Sequence, residues 1–275
     1  MCVYLTFYRK RLRKALNKKL DFFAKMGKVP LSIIVPAYNE EEIISDSVKN
    51  IYMHVSPIKI PFEVLVVDDN SRDKTLGILK KIIKSGKYRN LRYVNYKEGP
   101  SRRENLAKSF RLLKGDYVLL LDMDIAMDLK SLKVMVQWLD RGYDIVLANR
   151  YHDKSLINRN PKRYAISKTY NAIIRLLFRT GMRDNVCGFK AFRKEVILRL
   201  VDEIGTDPTG KRSVFWDTQV IIYAVRDKFR IKDIPIHWKE GKKSALNFKR
   251  ESKMSPYIIK FFFRYYFQKL GGFFS

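Results

Sequence analysis

Leu31-Ser32-Ile33-Ile34-Val35-Pro36-Ala37-Tyr38-Asn39-Glu40 is an apolar run that gives way abruptly to polar residues. The same change recurs at Val64-Leu65-Val66-Val67-Asp68-Asp69-Asn70-Ser71 and at Tyr117-Val118-Leu119-Leu120-Leu121-Asp122-Met123-Asp124. Short runs this rich in Val, Ile and Leu predict strands buried on both faces. Strands are expected at 31–35, 64–67, 91–94, 117–121 and 145–148, with helical stretches around 41–54, 74–84, 104–114 and 129–139. That alternation implies an α/β fold, a mostly parallel sheet with helices on both faces. Ligands of such sheets sit outside the carboxyl ends of the strands, so the polar strand ends are the first candidates for function. Beyond residue 150 the pattern loosens to helices near 162–179, 194–201 and 216–225 and a strand near 231–238.

The flanks differ from this central domain, which is expected to span 29–248. In residues 1–28, Leu12, Leu16, Leu20 and Phe23 recur at helical spacing among basic side chains. That is a basic amphipathic helix, lying on anionic lipid or packed on the domain. Residues 249–275 form an aromatic amphipathic segment in which Lys260, Arg264 and Gln268 make one polar stripe. About 15 helical residues reach roughly 22 Å, short of a bilayer core of about 30 Å. Such a helix suits the lipid head-group boundary, or docks on the domain or on a partner subunit, which leaves a homo-oligomer open.

The chain has 275 residues, with 56 Lys and Arg against 28 Asp and Glu, a formal net charge of +28. An excess that large points to an anionic partner: nucleic acid, a membrane surface or a phosphorylated substrate. No groove-reading motif accompanies it, so nucleic acid is not expected. Two cysteines, Cys2 and Cys187, exclude a disulfide framework and a cysteine zinc site, and are expected to be reduced thiols. No apolar run approaches the roughly 20 residues of a membrane-spanning helix. Arg9, Lys10, Arg11, Arg13 and Lys14 stand where a secretory signal would have its apolar core.

Singly, an acidic strand end is often a helix cap, the reading that suits Ser71 and Asp73. Three on one sheet converge at considerable desolvation cost. A hard divalent cation, Mg²⁺ or Mn²⁺, shared with substrate phosphates, would hold such carboxylates together.

These three motifs resemble the markers of family 2 glycosyltransferases, whose Rossmann-like fold is called GT-A, and the resemblance covers roughly residues 30–245. It implies that Pro36, Tyr38, Glu40, Val67 and Asp69 hold the nucleotide. It further implies that Asp122, Met123 and Asp124 hold the diphosphate, with Asp122 and Asp124 on the metal, and that Lys242 touches the donor from a loop. Arg150-Tyr151, Arg163, Ser167, Cys187-Gly188-Phe189-Lys190 and Trp216-Asp217-Thr218-Gln219 resemble the dolichyl-phosphate glucose and mannose synthases.

The reaction implied is inverting transfer of a hexose to a polyprenyl or dolichyl phosphate by a peripheral protein at the cytoplasmic membrane face. Glucose from UDP-glucose is favoured, mannose from GDP-mannose is the alternative, and a saccharide or lipid hydroxyl is the other acceptor. Arg150, Arg163 and Ser167 would bind the acceptor phosphate, the last two sharing a helix face at i, i+4. A phosphate acceptor is already anionic and needs no base, whereas a hydroxyl acceptor would make Asp217 the candidate base. Two stretches depart from the pattern. Ala148-Asn149-Arg150 stands where Gly-Ser-Arg is usual, and Gly99-Pro100-Ser101-Arg102-Arg103 replaces a glycine-and-lysine loop.

Overall fold

The computed structural model describes residues 30–239 and 254–271. The helix expected over 1–28 and the donor contact expected of Lys242 lie outside the described residues. Strands β1 (Leu31–Ala37), β2 (Phe62–Asp68), β3 (Leu91–Asn95) and β4 (Tyr117–Leu120) alternate with helices α1 (Ile44–Val55), α2 (Thr75–Lys84) and α3 (Glu104–Ser109). Then follow α4 (Ser131–Asp140), β5 (Ile145–Asn149), β6 (Leu156–Asn158), α5 (Pro161–Phe178), β7 (Lys190–Arg193) and α6 (Lys194–Ile204). The series ends with α7 (Phe215–Arg226), β8 (Ile231–Pro235), β9 (His237–Lys239) and α8 (Ser255–Gly271).

One sheet runs in the order β3-β2-β1-β4-β7-β5-β8, and β6 pairs with β9 apart from it. Within the large sheet only β7 is antiparallel to its neighbours. Alternate residues of each strand feed two cores. Ile33 and Val35 of β1 pack with Ile44, Val48 and Ile51 of α1 and with Leu132 and Met135 of α4. Ile34 of β1 joins Leu106 of α3, Leu200 of α6, Ile221 of α7 and Phe178 of α5 on the other side. Helices therefore cover both faces, as the near-continuous apolar strands require.

Three differences from the expected elements have local causes. The helix expected over 104–114 stops at Ser109, whose hydroxyl donates to the Asn105 carbonyl at 2.7 Å, and tightens into a 3₁₀ turn, Phe110–Leu112. The last expected strand divides after Pro235, which has no N–H to continue the ladder; β9 then leaves the sheet for β6. Strand β7 was not expected, because charged Lys190 and Arg193 disguise it, although Lys190 is only 1% exposed.

The topology positions the site. Strands β2, β1 and β4 are parallel neighbours, so the three motifs leave the same edge side by side. Antiparallel β7 starts where β4 ends, with Lys190 opposite Leu120, and so carries Gly188 and Lys190 to that edge too. Helix α8 docks through Phe261, 2% exposed, whose ring meets Phe178 and Phe215 at centroid distances of 5.5 Å each. Its outer face leaves Ile259, Phe263 and Phe267 exposed. Among the described residues no helix is long and apolar enough to cross a membrane.

Candidate active site

A cleft of about 450 Å³ opens at the carboxyl edge, lined by Pro36, Tyr38, Glu40, Asp69, Asp122, Met123 and Asp124, with Arg102, Arg103 and Val214. Of the donor-site residues expected from the sequence, those among the described residues all line it except Val67. Val67 is 1% exposed and packs in the core, because the pleat of β2 turns it into the sheet face rather than past the strand end.

The first two strand-end loops brace one another. Asn39 and Asn70 take φ of 55° and 65°, a left-handed conformation that Asn tolerates better than most residues. The Asn39 N–H donates to Ser71 Oγ at 3.0 Å, Arg72 N–H to Asn39 Oδ1 at 2.8 Å, and Glu40 N–H to Thr75 Oγ1 at 2.7 Å. Asp73 accepts from the backbone N–H groups of Thr75 and Glu41 and so ties the two loops together, while Lys74, the N-cap of α2, has no side-chain capping bond. Asp69 accepts from Ser101 Oγ at 2.9 Å, Arg102 N–H at 2.6 Å and Asn105 Nδ2 at 2.7 Å. A carboxylate has about four lone-pair directions, so one is left for a ligand donor. Gly99 lets this loop close down, since a Cβ there would lie 2.5 Å from the Asp69 carbonyl oxygen.

Asp122 rests against the Gly188 backbone so closely that a Cβ at 188 would come within 1.7 Å of its Oδ2. Its Oδ1 accepts from Arg103 Nη2 at 3.3 Å, while Arg103 Nε donates to Asp217 Oδ2 at 2.7 Å. Lys190 Nζ donates to Asp217 Oδ1 at 2.8 Å and to the Cys187 carbonyl at 2.6 Å. Burial alone would raise the Asp217 carboxyl, but Arg103 and Lys190 outweigh it and hold it below the usual carboxylate range. Burial would likewise lower Arg103; Asp217 and then Asp122 reverse that and raise it. Burial pushes the Cys187 thiol up to about 12 and keeps it protonated. With both oxygens paired to cations, Asp217 orients two basic groups rather than standing open to take a proton.

Asp122 and Asp124 offer hard oxygen donors on one wall of the cleft, a set that fits Mg²⁺ or Mn²⁺. Among the described residues no group of three or more His, Cys, Asp or Glu side chains could hold a metal. Mg²⁺ commonly completes its shell with substrate phosphates and water.

Arg150 follows β5, two places along the sheet from β4. Its Nε and Nη2 each donate to Asp184 at 2.8 Å, and its guanidinium lies 5.1 Å from the Trp238 ring centre. Burial would lower Arg150, yet Asp184 raises it; the same pairing holds the buried Asp184 carboxyl low. Arg150 lines a second pocket of about 670 Å³ with Tyr151, Tyr164, Lys168, Arg175 and Arg183. Ser167 sits behind that wall, its Oγ accepting from the Tyr151 hydroxyl at 2.7 Å. Arg163, one turn earlier on α5, does not line the pocket. Sequence reading gave no role to Tyr151, Asp184, Arg103 or Lys190, whose side-chain partners lie 16 to 114 positions away.

Residues 32–201 match the family described as Glycosyl transferase family 2. The chain belongs to that family. Glycosyltransferase AglD of Haloferax volcanii is 30% identical over 214 residues, which are 76% of this chain and 33% of that protein. The chain thus spans a third of that relative's length. A dolichyl-phosphate beta-glucosyltransferase of Dictyostelium discoideum is 25% identical over 86% of this chain and 74% of its own. Among solved structures, the mannosyltransferase PcManGT from Pyrobaculum calidifontis, in complex with GDP-Man and Mn²⁺, aligns with a TM-score of 0.53. It is 22% identical over 79% of this chain and 59% of its own. Glucosyl-3-phosphoglycerate synthase from Mycobacterium tuberculosis, in complex with Mn²⁺, UDP and glucosyl-3-phosphoglycerate, aligns with a TM-score of 0.56. It is 19% identical over 86% of this chain and 79% of its own, so the sheet and its helices form the GT-A fold.

Proposed function

We propose that this family 2 glycosyltransferase moves a hexose, with inversion, from a nucleoside diphosphate sugar to the phosphate of a polyprenyl or dolichyl lipid. UDP-glucose is the favoured donor and GDP-mannose the alternative. The observation that supports this best is a carboxylate-lined cleft beyond β1, β2 and β4 combined with a basic pocket beyond β5 on the same sheet edge. The dolichyl-phosphate beta-glucosyltransferase relatives point to the same acceptor.

Tyr38, 36% exposed at the cleft wall, offers its ring to the base, while Pro36, Glu40 and the remaining lone pair of Asp69 orient the nucleoside. Asp122 and Asp124 would hold Mg²⁺ or Mn²⁺, which when bound offsets negative charge on the departing diphosphate. Arg150, with Lys168 and Arg175 of the same pocket, orients the acceptor phosphate, while Tyr151 fixes the Ser167 hydroxyl behind the wall and Arg163 stands outside the lining. A phosphate oxygen forms the new bond to the anomeric carbon as the bond to the diphosphate breaks. The electron pair leaves with the nucleoside diphosphate, and no proton need move. The second pKa of a phosphate monoester is about 6, so the nucleophile is already anionic at neutral pH. Asp217 is a positioning residue in this scheme. Residues 29–248 carry the reaction, and α8 with the basic segment 1–28 holds the protein at the cytoplasmic face of the membrane.

A panel of labelled nucleotide sugars offered with one polyprenyl phosphate tests the reading. The expected product partitions into the organic phase, is labile to mild acid, and disappears in Asp124→Ala. Transfer only to a saccharide would replace the lipid phosphate with a hydroxyl acceptor.

A further inference from the structure

We propose that Arg103 makes metal binding at Asp122 conditional on the donor diphosphate, an inference that rests on reading the cleft as a nucleoside diphosphate sugar site. The guanidinium is held strongly at one end and weakly at the other. Nε is 2.7 Å from Asp217, itself clamped by Lys190, whereas Nη2 is 3.3 Å from Asp122. Arg103 therefore pivots on Asp217 and can release Asp122 without leaving the cleft that it lines.

One oxygen of Asp122 is engaged in this state and the other is crowded. Oδ2 lies against Gly188, and Oδ1 takes the Arg103 N–H. A dication approaching Asp122 meets a positive charge that Asp217 keeps in the cleft. A diphosphate changes the balance, since its oxygens are a stronger acceptor for the guanidinium than one carboxylate oxygen at 3.3 Å. With Arg103 turned onto the phosphates, Asp122 Oδ1 becomes available to the cation that arrives with them. The nucleoside end is linked to the same movement. Asp69 holds Ser101 Oγ and the Arg102 N–H, the two residues immediately before Arg103. Nucleoside, diphosphate and metal are thus read by one short loop.

Mn²⁺ titrations of the full chain, followed by the free-ion electron spin resonance signal with and without saturating UDP or GDP, test this apart from turnover. Wild type is expected to bind Mn²⁺ about tenfold more tightly with nucleotide, the usual size of coupling between two sites. Arg103→Gln is expected to bind Mn²⁺ alone about tenfold more tightly than wild type and to lose most of the nucleotide enhancement. Arg103→Lys, which keeps the charge but lacks the fork that spans two carboxylates, should leave the nucleotide-free affinity near the wild-type value. Equal nucleotide-free affinity in wild type and Arg103→Gln overturns the proposal while leaving the donor cleft intact. Wild type that binds neither UDP nor GDP in the presence of Mn²⁺ overturns the donor-cleft reading itself.

Discussion

At the scale of single residues, Gly188 shows how little separates a working cleft from a blocked one. It is needed for space rather than for backbone freedom, since the Asp122 carboxylate occupies the position where a side chain would begin. Gly188→Ala must push the Asp122 carboxylate aside. A displacement of about 1 Å at a reacting centre costs on the order of 100-fold in rate. The expected result is a loss of that size in kcat/KM for sugar transfer, with weaker Mn²⁺ binding and a folded circular dichroism spectrum. Undiminished turnover would mean that Asp122 does its work from another rotamer. The cysteine beside it is a packed thiol, and its raised pKa keeps it out of the chemistry.

At the scale of elements, β1, β2, β4 and β5 could be read from the chain because strands buried on both faces need side chains that are apolar throughout, whereas β3, at the sheet edge, fully buries only Leu91. Strand β7 could not. Lys190 is buried by virtue of Asp217, 27 positions later on α7, and a local pattern carries no sign of such a partner. The site divides in the same way. Asp69, Asp122 and Asp124 stand at strand ends, where local sequence exposes them. Arg103 gains its position from Asp217, 114 residues away, and Arg150 its orientation from Asp184, 34 residues away. Val67 shows the converse error, since proximity to a motif in sequence does not bring a side chain into the cleft.

Helix α8 takes one of the destinations that its composition allows, docking on the domain, and keeps an apolar outer face exposed. Phe261 enters the core, while Ile259, Phe263 and Phe267 recur every four residues on the outer face beside exposed Lys260 and Arg264. Rings flanked by basic side chains suit an anionic lipid surface. Each exposed aromatic that enters lipid contributes about 1.5–3 kcal/mol. The double replacement Phe263→Ser with Phe267→Ser is therefore expected to lower co-sedimentation with anionic vesicles by about tenfold or more. Its melting temperature should stay close to wild type, because substitutions at exposed positions usually change stability by about 0.5 kcal/mol or less. Full vesicle binding by the double variant would assign attachment to another part of the chain.

At the scale of the whole molecule, the excess of positive charge and the scarcity of carboxylates meet in the response to acid. Asp184 and Asp217 are fully buried and held below their ordinary values, in each case against the opposing effect of burial. A carboxylate whose pKa is depressed in the folded state contributes stability that is fully present above its unfolded value, about 3.9. That contribution declines as pH falls below about 4 towards the folded pKa, by at most about 1.4 kcal/mol per pH unit for each group. Over the same interval the 28 Asp and Glu lose their charge, which doubles the net +28 and adds general repulsion. Salt separates the two effects, because it screens exposed charges but not a buried pair. Urea unfolding between pH 5 and 2.5 is thus expected to show a steep loss of stability that added salt only partly restores. Asp184→Asn should be less stable than wild type at pH 7, since it leaves Arg150 buried without its full partner. It should also lose less on acidification, because one of the buried titrating groups is gone. If salt restores wild type completely at pH 3, or if Asp184→Asn keeps the wild-type acid slope, the buried pairs are not what acid breaks, and the surface charge alone sets the limit.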